Sequence, residues 1–178
     1  MLHSMRQGMF SHLADFVTEW LSDKSDLIGI EIGSYAGESA EMFVNSGAFK
    51  TLYCIDPWIP DYDPSDSTCD DGMLLAEDAF DKRFSGSPVV VKIKKMSSDA
   101  VALFEDCGSD FIYIDGNHQY DYVKQDLQLY VPKIKPGGII AGHDYGGPTT
   151  PGVTQAVDEF FGKPPIKRYA DYSWVHSK

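Results

Sequence analysis

Short β-branched runs alternate with helical segments along most of this sequence, and this alternation restricts the possible folds more than any other feature. The five strand-like runs are Leu27–Ile32, Thr51–Ile55, Val89–Ile93, Phe111–Ile114 and Ile139–Ala141. Helical segments separate them, and the one after the third run is expected to begin at a Ser98 cap and to end at Cys107. Strands that alternate with helices form βαβ units with right-handed crossovers. We therefore predict an α/β, doubly wound, mostly parallel sheet with helices on both faces.

The two ends of the chain complete this prediction. Apolar residues recur at helical spacing over residues 4–21, so an N-terminal helix (1–24) is expected before a core (25–178) in a single domain. Ile166–Tyr169 and Ser173–Val175 flank a tight turn and are expected to pair as an antiparallel C-terminal hairpin. With this hairpin the sheet has seven strands.

The charge balance limits the partners that such a domain can have. Fifteen Lys and Arg residues stand against 27 Asp and Glu residues, which gives a net charge of −12. Proteins that bind nucleic acid need a basic surface, so no nucleic-acid partner is expected. No apolar run approaches the ~20 residues that span a bilayer, so no membrane partner is expected either. Three cysteines without a CxxC pair favour a reducing, cytoplasmic setting.

Ligands of parallel sheets bind beyond the carboxyl ends of the strands, so the residues just after each run carry the functional predictions. After the first run, Gly33 and Gly37 permit a tight turn into a helix, and Glu31 places a carboxylate where a dinucleotide site would hold a pyrophosphate. A ligand that is cationic here is expected, with an ordinary strand-to-helix turn as the alternative. Asp56 ends the second run and is placed to bind ribose hydroxyls, whereas Trp58 either stacks on an adenine or caps the core.

Acidic and imidazole side chains follow the fourth and fifth runs. Asp115 comes directly after one, and His143 and Asp144 come directly after the other. These three side chains are predicted to converge on one divalent cation, Mg²⁺ or Mn²⁺, with the imidazole favouring Mn²⁺ or another transition metal. The alternative at each position is a buried histidine with a capping aspartate.

The irregular segment from Asp56 to Gly72 is rich in aspartate. Pro64 interrupts it and the EF-hand order of ligands is missing, so a solvated, flexible loop is expected rather than a calcium site. Such a loop would form part of the wall for the acceptor, or a lid.

A signature spread over the second half of the chain resembles that of a known family. It consists of Ile114–Tyr120 (IDGNHQY), Asp126-Leu127, Pro136–Gly138 and His143-Asp144. These residues resemble the IDGxHxY…DL…PGG…HD signature of class I S-adenosylmethionine-dependent methyltransferases, above all the small-molecule O-methyltransferases, some of which act on sugars. The resemblance implies a Rossmann-like fold and S-adenosylmethionine as cofactor. The positive charges of that cofactor agree with the carboxylate of Glu31.

The resemblance also implies a role for each matching position. The residues implied for the methionine part of the cofactor are Glu31, Gly33, Ser34, Gly37 and Ser39. Those implied for its ribose and adenine are Asp56, Trp58, Ser97, Ser98 and Asp99, with Asp115 as a further contact. Metal ligands fall at Asp115, His143 and Asp144, where the histidine departs from the Asp or Glu of most relatives. His118 falls at the position of the general base.

The expected function is therefore methyl transfer to a hydroxyl group of a small molecule, a sugar or glycoside. A divalent cation would lower the pKa of the hydroxyl, and His118, with a pKa near neutrality, would take the proton. Two alternatives stay open. His118, His143 and one aspartate would form the ligand set of a non-haem iron oxygenase, and a non-catalytic binding protein would keep the same fold. The short chain leaves the acceptor pocket to its own loops or to the second subunit of a homodimer.

Overall fold

A computed structural model describes residues 13–63 and 72–178 of the chain. The helices are α1 Leu13–Trp20, α2 Glu38–Asn45, α3 Met73–Arg83, α4 Ser97–Ala100, α5 Tyr120–Tyr130 and α6 Pro151–Phe161. The strands are β1 Leu27–Ile32, β2 Phe49–Asp56, β3 Val90–Lys94, β4 Ser109–Ile114, β5 Ile134–Gly142, β6 Lys167–Arg168 and β7 Trp174–Ser177. Residues 4–12 of the predicted N-terminal helix lie outside the described residues. Among the helices that are described, none has the length and apolar composition needed to cross a bilayer.

The strands form one seven-stranded sheet in the order β3-β2-β1-β4-β5-β7-β6. The first five are parallel, and β7 runs antiparallel to both β5 and β6. The chain starts in the middle at β1, moves outwards to β3 and then crosses to β4, so the order reverses between β1 and β4. This architecture confirms the doubly wound, mostly parallel sheet with an antiparallel C-terminal hairpin.

Two apolar cores cover the two faces of this sheet. Phe16, Phe43 and Phe80 from α1, α2 and α3 pack against one face. Val123 and Val153, from α5 and α6, pack against the other. Successive strand residues point to opposite faces, so each central strand contributes apolar side chains to both cores.

The carboxyl ends of the central strands finish at the same level. Ile32 at the end of β1 pairs with Ile55 of β2 and with Ile114 of β4, and Ile114 pairs in turn with Gly142 of β5. The next residues along these strands are Gly33, Asp56, Asp115 and His143. Four loops that are distant in sequence therefore leave one edge of the sheet side by side.

Gly33 holds β1 and β4 together at this edge. Its backbone φ angle is +86°, and a Cβ atom on it would stand 1.9 Å from the carbonyl oxygen of Asp115. The Asp115 amide donates to the Ile32 carbonyl at 2.8 Å, and the Gly33 amide donates to the Ile55 carbonyl at 2.8 Å. The two loops approach so closely that only a glycine fits between them.

The helix after β3 is shorter than the sequence predicts. α4 ends at Ala100 and a 3₁₀ turn, Val101–Leu103, follows it, so Cys107 lies well beyond the helix. The expected Ser98 cap is also wrong, because the N-cap position is Met96 and no side chain caps the helix. The polar group that lies near this helix start, the hydroxyl of Ser97, donates to another helix instead.

Proline followed by two glycines predicts a turn at Pro136–Gly138, but these residues lie inside β5. Ser109 pairs with Ile134 and Phe111 pairs with Ile139, so two steps along β4 correspond to five along β5. The additional residues of β5 form a bulge outside the hydrogen-bonded ladder with β4. A bulge accommodates Pro136, which has no amide proton, and Gly137, whose φ angle is +79°.

Replacing Gly33 with alanine is expected to destabilise the protein by about 3 kcal/mol or more, because left-handed strain adds to the overlap with Asp115. Gly47→Ala is the matched control. Gly47 also has a positive φ angle, +75°, but no atom stands within 4 Å of its missing Cβ. The control is expected to lose only about 1 kcal/mol of unfolding free energy in urea titrations. Equal losses in the two variants would contradict the close approach at Gly33.

Candidate functional site

A cavity of about 600 Å³, part of it open to solvent, lies over the carboxyl ends of β1, β2 and β4. The lining combines apolar side chains such as Ile55 with four carboxylates, which belong to Asp56, Asp63, Asp115 and Asp126. The described residues that line the cavity include no lysine or arginine. Such a wall favours a ligand with hydrogen-bond donors or positive charge over an anionic one.

Glu31 lies beneath the loop that follows β1, not on the cavity wall. Its side chain is fully buried, and its two oxygens accept hydrogen bonds of 2.6 Å from the hydroxyls of Ser34 and Ser39. Burial raises the pKa of Glu31 to about 7, although both serine hydroxyls oppose the rise. Gly37 in the same loop packs against α3, where a Cβ atom would stand 2.5 Å from the ring of Phe84. Of the residues predicted for the methionine part of the cofactor, only Gly33 lines the cavity.

Asp56 is held rigidly at the cavity wall. One carboxylate oxygen accepts the amide of Tyr35 at 2.9 Å, and the other accepts the amide of Trp58 at 2.7 Å. Burial raises the pKa of Asp56, and these amides counteract the rise. Each oxygen keeps a further lone pair, so the carboxylate is able to accept hydrogen bonds from a pair of ligand hydroxyls.

Trp58 caps the core, which was one of the two alternatives for this residue. Its ring is 1% exposed and packs against Phe80 at 5.2 Å between ring centroids. The indole nitrogen donates to the carbonyl of Tyr35 at 2.8 Å, and the ammonium of Lys92 lies 4.6 Å from the ring centroid. The ring therefore supports the Asp56 turn from behind and does not line the cavity.

At the β3 side of the cavity, Ser97 lines the wall, whereas Ser98 and Asp99 are exposed and do not. The hydroxyl of Ser97 donates to Asp126 Oδ1 at 2.5 Å. Asp126 is a wall residue to which the sequence analysis gave no role, although it belongs to the matched signature. Burial raises its pKa to about 7. The signal was its position on the apolar face of α5, one step before Leu127.

His118 lies between carboxylates from two other loops. Its Nδ1 is 3.0 Å from Asp63 Oδ2, and its Nε2 is 3.0 Å from Asp144 Oδ2 and 3.8 Å from Asp115 Oδ1. Burial alone would lower the pKa of His118, but Asp115 and Asp144 outweigh it and raise the pKa to about 11. This pKa lies well above the value near neutrality that was expected from the sequence.

Three of these side chains lie close enough together that they could hold one cation. Asp115, His118 and Asp144 each offer a ligand atom within 4.8 Å of the others, the one such group among the described residues. His143, the third ligand predicted from sequence, lies beside the group, with its Nδ1 3.1 Å from Asp144 Oδ2. The structure thus brings together two of the predicted ligands and adds the predicted base as the third.

Asp63 overturns the expectation of a solvated loop at its own position. Its side chain is buried, and Oδ2 accepts both the amide of His118 at 2.8 Å and a contact from the ring. The neighbouring Tyr62 carbonyl accepts the side-chain amide of Asn117 at 3.0 Å. Tyr62 and Asp63 are therefore hydrogen-bonded to the loop that follows β4. No sequence signal separates Asp63 from the exposed Asp61 two residues earlier. Residues 64–71 lie outside the described part of the chain.

Comparisons with known proteins agree with the fold. A family model described as a methyltransferase domain matches residues 30–145. An uncharacterized protein of Acanthamoeba polyphaga mimivirus is 30% identical over 183 residues, covering 96% of this chain and 78% of the relative. An uncharacterized protein of Sinorhizobium fredii is 24% identical over 123 residues, or 65% of this chain, and the match spans 13% of that longer protein.

A solved structure adds to these matches. The O-methyltransferase from Bacillus cereus, in complex with SAH, superposes with a TM-score of 0.64 at 12% identity, covering 92% of this chain and 77% of that one. At this identity the likeness supports the fold and leaves the choice of substrate open.

Burial of Glu31 makes the stability of the protein depend on pH. Its pKa of about 7 lies above the usual 4.5, so the folded state binds more protons between these values. The free energy of unfolding then falls as pH rises through this window, by about 2–3 kcal/mol from Glu31. In urea titrations at pH 5 and pH 8, Glu31→Gln is expected to remove that part of the difference. The pKa of Asp126 is also raised, so it contributes a fall in unfolding free energy with rising pH in both the wild type and Glu31→Gln. The exposed Glu105→Gln should keep the full difference, and an unchanged difference in Glu31→Gln would contradict this assignment.

Proposed function

The chain belongs to the methyltransferase-domain family and uses S-adenosylmethionine as its methyl donor. From this premise we propose that it methylates a hydroxyl group of a small molecule, a sugar or glycoside. A divalent cation would assist the transfer. The observation that carries the proposal is the group formed by Asp115, His118 and Asp144, of which Asp115 lines the acidic cavity. A cation there would lie beside the strand ends where the donor binds.

The cavity fits the methyl donor chemically. The donor carries an ammonium, a sulfonium, a ribose with two hydroxyl donors and a flat base, and it has no phosphate. A wall with four carboxylates and no basic side chain among its described residues suits that charge. Asp56, fixed by two backbone amides, is the residue that would accept the ribose hydroxyls. Gly33 lines the cavity without a side chain of its own, so the ligand would meet the backbone of the β1 loop there.

When bound, the donor would supply an electrophilic methyl group and the cation would make the acceptor hydroxyl more acidic, so that the hydroxyl proton would pass to water and a C–O bond would form as the C–S bond breaks with its electron pair left on sulfur. The chain's own residues provide the positions. Asp115 and Asp144 extend from the ends of β4 and β5 and would hold the cation together with His118. Asp63 fixes the ring of His118 from the opposite side by accepting at Nδ1.

His118 is assigned here to the cation and not to the hydroxyl proton. A general base needs a ring nitrogen that is free to accept a proton. In His118, Nδ1 contacts Asp63, and Nε2 faces Asp115 and Asp144, the two carboxylates that would bind the cation with it, so the Nε2 lone pair of the neutral ring would serve the cation rather than an acceptor hydroxyl. The donor set has one imidazole and two carboxylates, which suits Mg²⁺ or Mn²⁺. An iron oxygenase would need two histidines and one carboxylate instead.

Binding of the donor is tested by calorimetry with S-adenosylhomocysteine, for which a dissociation constant in the micromolar range is expected. Asp56→Asn is expected to weaken binding about tenfold or more, because the ribose hydroxyls lose a charged acceptor. Asp61→Asn makes the same chemical change at an exposed position and should bind as the wild type does. Absence of binding to the wild-type protein would refute the use of this donor.

The cation and the acceptor are tested together with two histidine variants. His118→Gln is expected to weaken Mn²⁺ binding, measured by electron paramagnetic resonance, and to lose methyl transfer in parallel. His143→Gln should retain Mn²⁺ affinity within a few-fold, because His143 lies outside the ligand group. Loss of transfer without loss of Mn²⁺ affinity in His118→Gln would instead support a general base.

Transfer from labelled donor is measured on a panel of glycosides, catechols and amines, and methylation of amines alone would refute the proposed acceptor class.

A further inference from the structure

A hydrogen-bonded pair on the cavity wall has no role in the chemistry described above. The hydroxyl of Ser97, at the start of α4, donates to Asp126 Oδ1 on α5 at 2.5 Å. The carbonyl of Ser97 accepts the hydroxyl of the buried Tyr130 at 2.7 Å, so the serine is fixed from two directions. Both Ser97 and Asp126 line the cavity.

The second oxygen of Asp126 remains available to a ligand. Among the described residues, none donates a hydrogen bond to Oδ2, which lies 3.8 Å from the place where a Cβ on Gly116 would stand. Gly116 also lines the cavity, so Oδ2 faces the ligand space. Asp126 is only 4% exposed, and a carboxyl group this deeply buried is costly unless donors surround it. A donor on the bound ligand would supply the missing hydrogen bond.

The strand order indicates which part of the ligand reaches this pair, and this step depends on the proposed function. Along the edge of the sheet the loops follow the order β3, β2, β1, β4, β5. The group that would hold the cation lies at β4 and β5, Asp56 lies at β2, and Ser97 lies beyond β3. If Asp56 holds the ribose and the sulfonium is directed towards the cation group, the base extends the opposite way, towards Ser97 and Asp126.

We infer that Asp126, oriented by Ser97, accepts a hydrogen bond from the exocyclic amino group of the donor's adenine and so determines the specificity for that base. Hypoxanthine carries a carbonyl oxygen at the same position. At a pH above the pKa of Asp126, which is about 7, that oxygen would face a deprotonated carboxylate with no proton between them, and a buried acceptor without a donor costs enough to reject the ligand. Apolar neighbours such as Ile55 provide a surface for the flat base without offering it a competing hydrogen bond.

Calorimetry with S-adenosylhomocysteine and S-inosylhomocysteine tests this inference without any turnover. The wild-type protein is expected to prefer the adenine compound about tenfold or more. Asp126→Asn is expected to bring the two affinities within about threefold, because an amide presents a donor as well as an acceptor. Asp121→Asn, at an exposed position on the same helix, should keep the wild-type preference. Equal affinities in the wild type, or an unchanged preference in Asp126→Asn, would overturn the inference.

Two further measurements separate the remaining outcomes. Methylthioadenosine and methylthioinosine lack the amino-acid part of the donor and are titrated into the wild-type protein and Asp126→Asn. If Asp126→Asn loses affinity only for the homocysteine compounds, Asp126 contacts the ammonium and the inference is overturned. If Asp126→Asn does not fold, as judged by circular dichroism, Ser97→Ala takes its place. It frees the carboxylate to rotate and should reduce the preference at least threefold, and an unreduced preference overturns the inference. Failure of the wild type to bind S-adenosylhomocysteine would instead refute the proposed function.

Discussion

The contact between Gly33 and the backbone of Asp115 is the constraint on which the rest of the site depends. It brings the ends of β1 and β4 closer than any side chain would allow, at the point where the strand order reverses. Because the neighbouring strands end at the same level, this closure fixes the starting points of the loops that carry Asp56 and His143. The cavity is therefore a property of backbone geometry before any functional side chain is considered.

The second organising principle is the way in which the protein tolerates many acids in a confined space. Each carboxylate has its own kind of partner: serine hydroxyls for Glu31, backbone amides for Asp56 and imidazole rings for Asp144. Burial alone would raise the pKa of Asp144, but the two histidines outweigh it and lower the pKa far below the usual range. The pKa values of Glu31 and Asp56 are thus raised and that of Asp144 is lowered, a spread that a uniform acidic patch on the surface would not produce.

The sequence predicted the fold and the edge of the sheet that forms the site, because alternating periodicity and loop position depend only on local pattern. It did not predict which side chains face the cavity. Glu31 lies at a position where a ligand contact was expected, but its side chain points into its own loop. Asp63 lies in a segment that was expected to be a solvated loop, but its side chain is buried. Both outcomes depend on contacts between residues far apart in sequence, such as the 55 positions between Asp63 and His118. Asp126 was detectable, because an acid on the apolar face of α5 is costly without a purpose.

The bonds of His118 to Asp63 and Asp144 also have a mechanical meaning. They connect the loop after β2, the loop after β4 and the loop after β5 through a single ring. Asp63 lines the cavity and Asp144 does not, so the ring connects a residue of the cavity wall with the loop in which β5 ends. A substitution that displaced the ring would therefore break contacts to more than one loop at once.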